Sequence, residues 1–211
     1  MKSHIKTIGA TNHTKEERDP NDFYATCGSD VERFLDVLKE DGVELNSLIW
    51  EPACGKGHIS EVLTKKGFNV LSSDIVKRGF FGAKQLDFLE AAPRHVLSAS
   101  IGSWWKGDII TNPPFKFALG FIERAMERLE VGGKLLLLLP LRYLETKQRF
   151  HLFQKFPLKF IYVYSYRIDI GKGGVFNGGN AVAYCWFVWE KGFDGEAVVR
   201  FISRKDWLKQ H

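Results

Sequence analysis

Apolar positions along this chain follow two periods, one helical and one strand-like. Val31, Phe34, Leu35 and Leu38 fall on one helical face, and Ser29 followed by Glu32 has the form of a capping box, so a first helix is predicted from Ser29 to about Gly42. The apolar run Leu48 to Trp50 then meets a glycine turn, a second helical stripe (Ile59, Val62, Leu63) and a strand at Asn69 to Ser72. Strand, glycine turn, helix and strand make one βαβ unit. The alternation continues with short strands at Lys84 to Phe88 and Asp108 to Thr111. Phe117, Ala118, Phe121, Ile122, Ala125, Met126 and Leu129 then form a helical stripe closed by Gly132 and Gly133.

Lys134 to Leu139 is apolar without interruption beyond its first residue, as expected of a strand covered on both faces. Tyr143 to Phe156 reads as a further helix. Strands at Lys159–Tyr164 and Ala181–Trp189 flank the glycine-rich stretch GKGGVFNGGN as a hairpin at the sheet edge, and Ala197–Ile202 adds a last strand. The fold class expected is α/β, a doubly wound, mostly parallel seven-stranded sheet with helices on both faces and an antiparallel edge hairpin.

Composition narrows this picture only a little. The chain has 211 residues, 45% of them hydrophobic and 26% charged, with a net charge of +5; that suits one globular domain and is compatible with a polyanionic partner. Residues 1–20 are polar and aperiodic and are expected to be a flexible arm, leaving 21–211 as a single catalytic domain without a separate target-recognition domain. Three cysteines at irregular spacing argue against a disulfide framework and give no zinc-ligand pattern, so no metal and a reduced, cytoplasmic setting are expected. No stretch approaches the ~20 apolar residues of a membrane span.

Three short motifs carry chemistry. The turn EPACGKG, Glu51 to Gly57, follows the first βαβ strand, where doubly wound sheets bind ligands, and Gly55 and Gly57 remove Cβ atoms from a site of close approach. Asp74 ends the next strand, about 20 residues on, where a carboxylate can accept from ribose hydroxyls; a turn-forming role is the alternative. In DIITNPPF, residues 108–115, Pro113 and Pro114 stop regular structure at a strand tip. There Asn112 and the Pro113 carbonyl offer two acceptors for an –NH₂ group, and Phe115 offers a flat face for a planar base.

In this order, EPACGKG, SDI and NPPF resemble the motifs of class I S-adenosylmethionine-dependent methyltransferases, particularly the adenine-N6 DNA methyltransferases of phage and prophage type, whose fold is Rossmann-like. The upstream NDFYAT, residues 21–26, resembles that family's cofactor-binding segment, with Ala25 where proline is usual. The resemblance implies S-adenosylmethionine as cofactor, with Glu51, Ala53, Gly55 and Gly57 along its methionine part, Asp74 on its ribose, Ile75, Asp87 and Phe88 around its adenine, and Tyr24 and Thr26 closing the pocket. Asn112, Pro113, Pro114 and Phe115 would be catalytic, and the partner would be DNA. A cysteine nucleophile for cytosine C5 is not expected, Cys54 reading as a packing residue. Lys172, Phe176, Asn177 and Asn180 of the glycine loop are candidate nucleic-acid contacts, with Tyr164, Tyr166 and Arg167 upstream. The alternatives are an RNA base amine, a protein glutamine amide, or a cofactor- or nucleic-acid-binding protein without turnover.

Overall fold

Leu135, Leu137 and Leu139 pack into one apolar cluster and Leu136 and Leu138 into another, on opposite faces of the same strand. That strand is central to the fold. The structure, a computed structural model, describes residues 23–90, 105–176, 178 and 181–206, with only the backbone of Lys172. The chain runs β1 (Tyr24–Thr26), α1 (Gly28–Glu40), β2 (Leu48–Glu51), α2 (His58–Lys65), β3 (Asn69–Asp74), β4 (Lys84–Gln85) and β5 (Asp108–Thr111). It continues through α3 (Ala118–Arg128), β6 (Lys134–Pro140), α4 (Lys147–Lys155), β7 (Phe160–Tyr164), β8 (Ile170–Lys172), β9 (Tyr184–Glu190) and β10 (Val198–Ile202), with 3-10 turns at Phe115–Phe117 and Leu141–Leu144.

Eight strands form the main sheet, in the order β10-β7-β9-β6-β5-β2-β3-β4. All neighbours are parallel except β9, which runs antiparallel to both β6 and β7. The expected α/β doubly wound sheet is therefore present, with β4 and β10 as its edges and the β7–β9 hairpin beside β10. One face is covered by α1 and α2, whose Val31, Phe34, Leu35, Leu38, Ile59, Val62 and Leu63 meet Ile49, Ile110 and Trp186. Phe34 stacks on Trp186 at 4.4 Å between centroids. The other face is covered by α3 and α4, with Phe121, Ile122, Ala125, Met126 and Leu152 against Trp50, Ile109 and the odd-numbered leucines.

Several boundaries differ from the sequence reading for local reasons. α1 starts at Gly28 with Cys27 as its cap, and no side chain caps it, so the Ser29–Glu32 box does not form. Cys27 N–H is instead tied to the Asp169 carbonyl at 3.3 Å, which sets the entry of the helix directly after β1. The segment Tyr143–Phe156 is not one helix, because Thr146 takes φ 96° and separates the 3-10 turn at Leu141–Leu144 from α4. Only Lys84 and Gln85 of the third strand pair with β3. The glycine stretch forms part of β8, which leaves the main sheet to pair antiparallel with β1.

Asp108 ties three strands together at their amino ends. Its buried carboxylate accepts from Asn46 N–H at 2.6 Å, just before β2, and from Lys134 N–H at 2.7 Å, the first residue of β6. The strand carrying it, β5, lies between those two. Hydrogen bonds to a charged group contribute about 1.5–3 kcal/mol each, and an orphaned buried donor costs a similar amount. Asp108→Ala is expected to lower unfolding free energy by about 3 kcal/mol, and Asp108→Asn by about half of that, since one amide oxygen can replace one bond but not both. Urea denaturation of the three proteins measures the difference.

Candidate active site

The parallel strands β2, β3 and β5 end on one edge at Glu51, Asp74 and Thr111. From β2 the chain crosses first to β3 on one side and later returns to β5 on the other, so β2 and β5 mark the switch point at which open α/β sheets bind ligands. A cavity of about 220 Å³ opens there. Its lining includes Tyr24, Thr26, Glu51, Ala53, Asp74, Ile75, Asp87, Phe88, Asn112 and Pro114 from the sequence-derived set.

Glu51 lies at the cavity floor with 1% of its surface exposed, and its carboxylate accepts from the Ser60 hydroxyl, which also contacts the Ser72 hydroxyl at 2.6 Å. Burial pushes the Glu51 carboxyl up to about 8, the nearby Asp74 charge adding to the effect against the lowering by Ser60. Asp74 is held differently. One of its oxygens accepts Gly55 N–H at 2.8 Å and the other Val76 N–H at 2.9 Å, so it shapes the turn as well as facing the cavity. Each oxygen retains a second lone pair for a hydroxyl donor.

Gly55 and Gly57 are not part of the cavity lining. Both have left-handed φ, 57° and 87°, and a Cβ on Gly55 would overlap the ring of Phe23, one on Gly57 the ring of Phe80. The close approach that demands glycine here is therefore by the protein's own aromatic rings. Cys54, directly before Gly55, is buried, and burial lifts its thiol to about 12 with Glu51 and Asp74 adding, which removes the thiolate a nucleophile would need.

On the far side, Ile75 turns toward solvent with 48% exposure at the cavity wall. Asp87 accepts Leu89 N–H at 2.9 Å, and Phe88 is buried against Trp50 at 5.0 Å. Arg128 of α3 fixes this segment, donating from Nη1 to the Phe88 carbonyl at 2.8 Å with its guanidinium over the Phe88 ring. Burial depresses its pKa to about 10. Three carboxyl groups and apolar walls suit a ligand that combines a cation, ribose hydroxyls and a planar ring, and S-adenosylmethionine has that chemistry.

Asn112 closes the cavity from β5. Its Nδ2 donates to the Tyr24 carbonyl at 3.0 Å and to the Thr26 hydroxyl at 3.2 Å, both on β1. Its Oδ1 is buried and has no hydrogen-bond partner among the described residues. Pro114 lines the cavity, whereas Pro113 and Phe115 do not. The Phe115 ring is taken up by Tyr24, stacked at 6.0 Å with 8° between planes, and by Tyr184. The 3-10 turn after the prolines presents Phe117 to the cavity instead, 41% exposed.

The glycine loop packs over the glycine turn. Lys56 Nζ donates to the Gly173 carbonyl at 3.2 Å, Gly173 N–H to the Phe23 carbonyl at 2.9 Å, and Phe176 meets the His58 ring edge-on at 5.6 Å. The Lys172 side chain, Asn177, Asn180 and the arm 1–20 lie outside the described residues. Tyr164 is buried and donates to the Asp30 carbonyl, and Tyr166 donates to the Asp30 carboxylate, so both anchor α1. The cavity also takes Phe23, His58, Arg78 and Phe117, which sequence reasoning had not assigned. Phe23 stood inside NDFYAT and His58 directly after the glycine turn, and adjacency to a motif was their only signal.

The fold is Rossmann-like, a doubly wound α/β sheet shared with solved structures of other proteins. Solved structures with this fold include a protein assigned as an RNA methyltransferase from Pyrococcus horikoshii, 15% identical with a TM-score of 0.55 over 81% of this chain and 88% of the other. Another is assigned as a class I S-adenosylmethionine-dependent methyltransferase from Listeria monocytogenes, 16% identical with a TM-score of 0.54 over 84% and 65% of the two chains. The type IIG restriction endonuclease BpuSI is 17% identical, with a TM-score of 0.54 over 80% of this chain and 26% of the enzyme. No family model and no curated protein matches the sequence.

Glu51 generates a pH dependence whose sign is fixed. Its folded pKa, about 8, lies above its ordinary value of 4.5, so between these the folded state holds the extra proton and stability declines as pH rises. Glu51→Gln removes that proton uptake. The difference in unfolding free energy between wild type and Glu51→Gln is expected to change by about 1.4 kcal/mol per pH unit through that window, in the direction of a weaker wild type at higher pH. Urea titrations at several pH values from 5 to 8 give the slope; parallel curves for the two proteins would contradict it.

Proposed function

We propose that the protein transfers a methyl group from S-adenosylmethionine to the exocyclic N6 amine of adenine in DNA. The observation that carries this reading is the buried, unpartnered Oδ1 of Asn112 at the switch-point cavity. A buried acceptor left without a donor costs about 1–3 kcal/mol, so the site favours a ligand that brings an N–H to that atom. Further support comes from the NPPF motif, the fold shared with methyltransferases, and the acidic and apolar walls around Asp74, Asp87 and Ile75.

S-adenosylmethionine supplies an electrophilic methyl group on a positively charged sulfur. Asp74, Ile75, Asp87, Glu51 and Ala53 are the residues that would hold it, with Tyr24 and Thr26 above. The chain's own contribution is orientation. An adenine amino nitrogen is a poor nucleophile because its lone pair is delocalised into the ring. Accepting one of its N–H groups at Asn112 Oδ1 favours a pyramidal nitrogen whose lone pair is free to attack, and the Pro113 carbonyl, outside the cavity lining, is the acceptor the motif offers for the other. As the new N–C bond forms, the sulfur–methyl bond would break with its electron pair left on sulfur as a neutral thioether, and the nitrogen gives up a proton to solvent. Reaching a base in a duplex requires flipping it out, and Phe117, exposed beside Asn112, offers the receiving face.

Incubating the protein with labelled S-adenosylmethionine and unmethylated DNA, RNA or protein extract tests the reading. Label is expected in DNA, as N6-methyladenine. Asn112→Ala is expected to lower the transfer rate at least about 100-fold while cofactor affinity changes only a few-fold, because orientation rather than binding is lost. Label entering RNA or protein but not DNA rejects the DNA assignment, and failure to bind the cofactor at millimolar concentration rejects methyl transfer.

A further inference from the structure

The segment after β3 carries the sequence KRGFFGAK, residues 77–84, of which only Arg78 lines the cavity and Phe80 packs on the glycine turn, leaving Phe81 without a role in the site above. Phe80 and Phe81 take opposite positions. The Phe80 ring lies over Gly57, filling the space that a side chain there would occupy, and this anchors the loop to the glycine turn. Phe81 is 97% exposed. Ala83 N–H donates back to the Phe80 carbonyl at 3.3 Å, closing a turn with Phe81 at its second position and Gly82, at φ 81°, at its third. A left-handed glycine at that position is what a type II turn requires, and Gly79, at φ 86°, provides the bend before it. The backbone thus displays Phe81 outward.

An aromatic ring so fully exposed contributes almost nothing to the core. Its surroundings are basic, with exposed Lys77 and Lys84 and part-buried Arg78. The only acid in the stretch 74–85 is Asp74, buried and engaged by two backbone amides. The loop follows the carboxyl end of β3, so it stands on the same sheet edge as Asn112, and a second cavity of about 260 Å³ along it shares Asp74 and Arg78 with the first. A flat apolar ring flanked by cations matches single-stranded nucleic acid, in which every base has a face to stack and every residue a phosphate to neutralise.

Resting on the proposed function, we infer that Phe81 stacks on an unpaired base of the DNA strand that carries the target adenine, while Lys77 and Lys84 contact its phosphates. The test measures binding of an adenine-containing single-stranded oligonucleotide by fluorescence anisotropy over a range of salt, together with S-adenosylmethionine affinity and methyl transfer to DNA. Phe81→Ala is expected to weaken oligonucleotide binding roughly tenfold, with Phe81→Trp retaining it. Lys77→Ala combined with Lys84→Ala is expected to flatten the salt dependence by about 1.4 in log–log slope. Cofactor affinity stays within twofold throughout, since none of the three side chains lines the first cavity. Wild-type methylation of DNA with unchanged oligonucleotide affinity in Phe81→Ala overturns the loop assignment alone. A wild type that neither binds nor methylates DNA overturns it together with the proposed function.

Discussion

The carboxamide of Asn112 joins the main sheet to the small β1–β8 sheet above it. Its orientation is fixed by chemistry, because the Tyr24 carbonyl can only accept and must therefore face Nδ2. The Thr26 hydroxyl takes the second amide hydrogen. What remains is one oxygen, buried and aimed away from β1. The position of β1 is in turn set by its pairing with β8 and by the Gly173 N–H bond to the Phe23 carbonyl. The acceptor at the strand tip is thus held through a pairing of segments far apart in the chain, and its direction is set by the β1–β8 sheet.

The three acids at strand ends and beginnings differ in what their carboxyl groups accept. Asp108 and Asp74 each accept two backbone amides, which are oriented and cannot rotate away. Glu51 accepts from the Ser60 hydroxyl, which also contacts a second hydroxyl, and from the Ser60 backbone N–H, yet burial outweighs both and raises its pKa. The cavity has at its floor a carboxyl that holds a proton through neutral pH. A cationic ligand above Glu51 would favour its ionised form, so ligand binding and proton release are linked at this residue.

Much of the sheet was legible because its strands are buried on both faces or alternate cleanly. Lys134 to Pro140 could hardly be anything else, and Asp108–Thr111 has the bounds expected from its apolar core and following prolines. The candidate set around Asp74, Asp87 and Asn112 was legible because strand ends in a parallel sheet converge on one edge. What could not be read was long-range. The β1–β8 pairing, the burial of Tyr164 against α1 and the stacking of Phe115 on Tyr24 each depend on segments that no local pattern connects. The Ser29–Glu32 box failed for the same reason, a bond from Cys27 to Asp169 having fixed the helix start first. Thr146, with its positive φ, broke a helix that periodicity alone made continuous.

The glycine turn is the place where sequence and structure agree on the residue and differ on the cause. A glycine pair after the first strand was expected to make room for a ligand, yet the rings of Phe23 and Phe80 occupy the space over Gly55 and Gly57. Phe23 belongs to the segment that leads into β1, and Phe80 to the basic loop after β3. The two glycines are therefore seats for the two segments that flank the cavity, while the turn's own contribution to the cavity comes from Glu51, Pro52, Ala53 and Cys54. Because Gly55 N–H also satisfies Asp74, a shift of the turn moves the carboxylate and both aromatic seats together. The cavity wall, the segment leading into β1 and the basic loop thus share one backbone element, so a shift of the turn reaches all three.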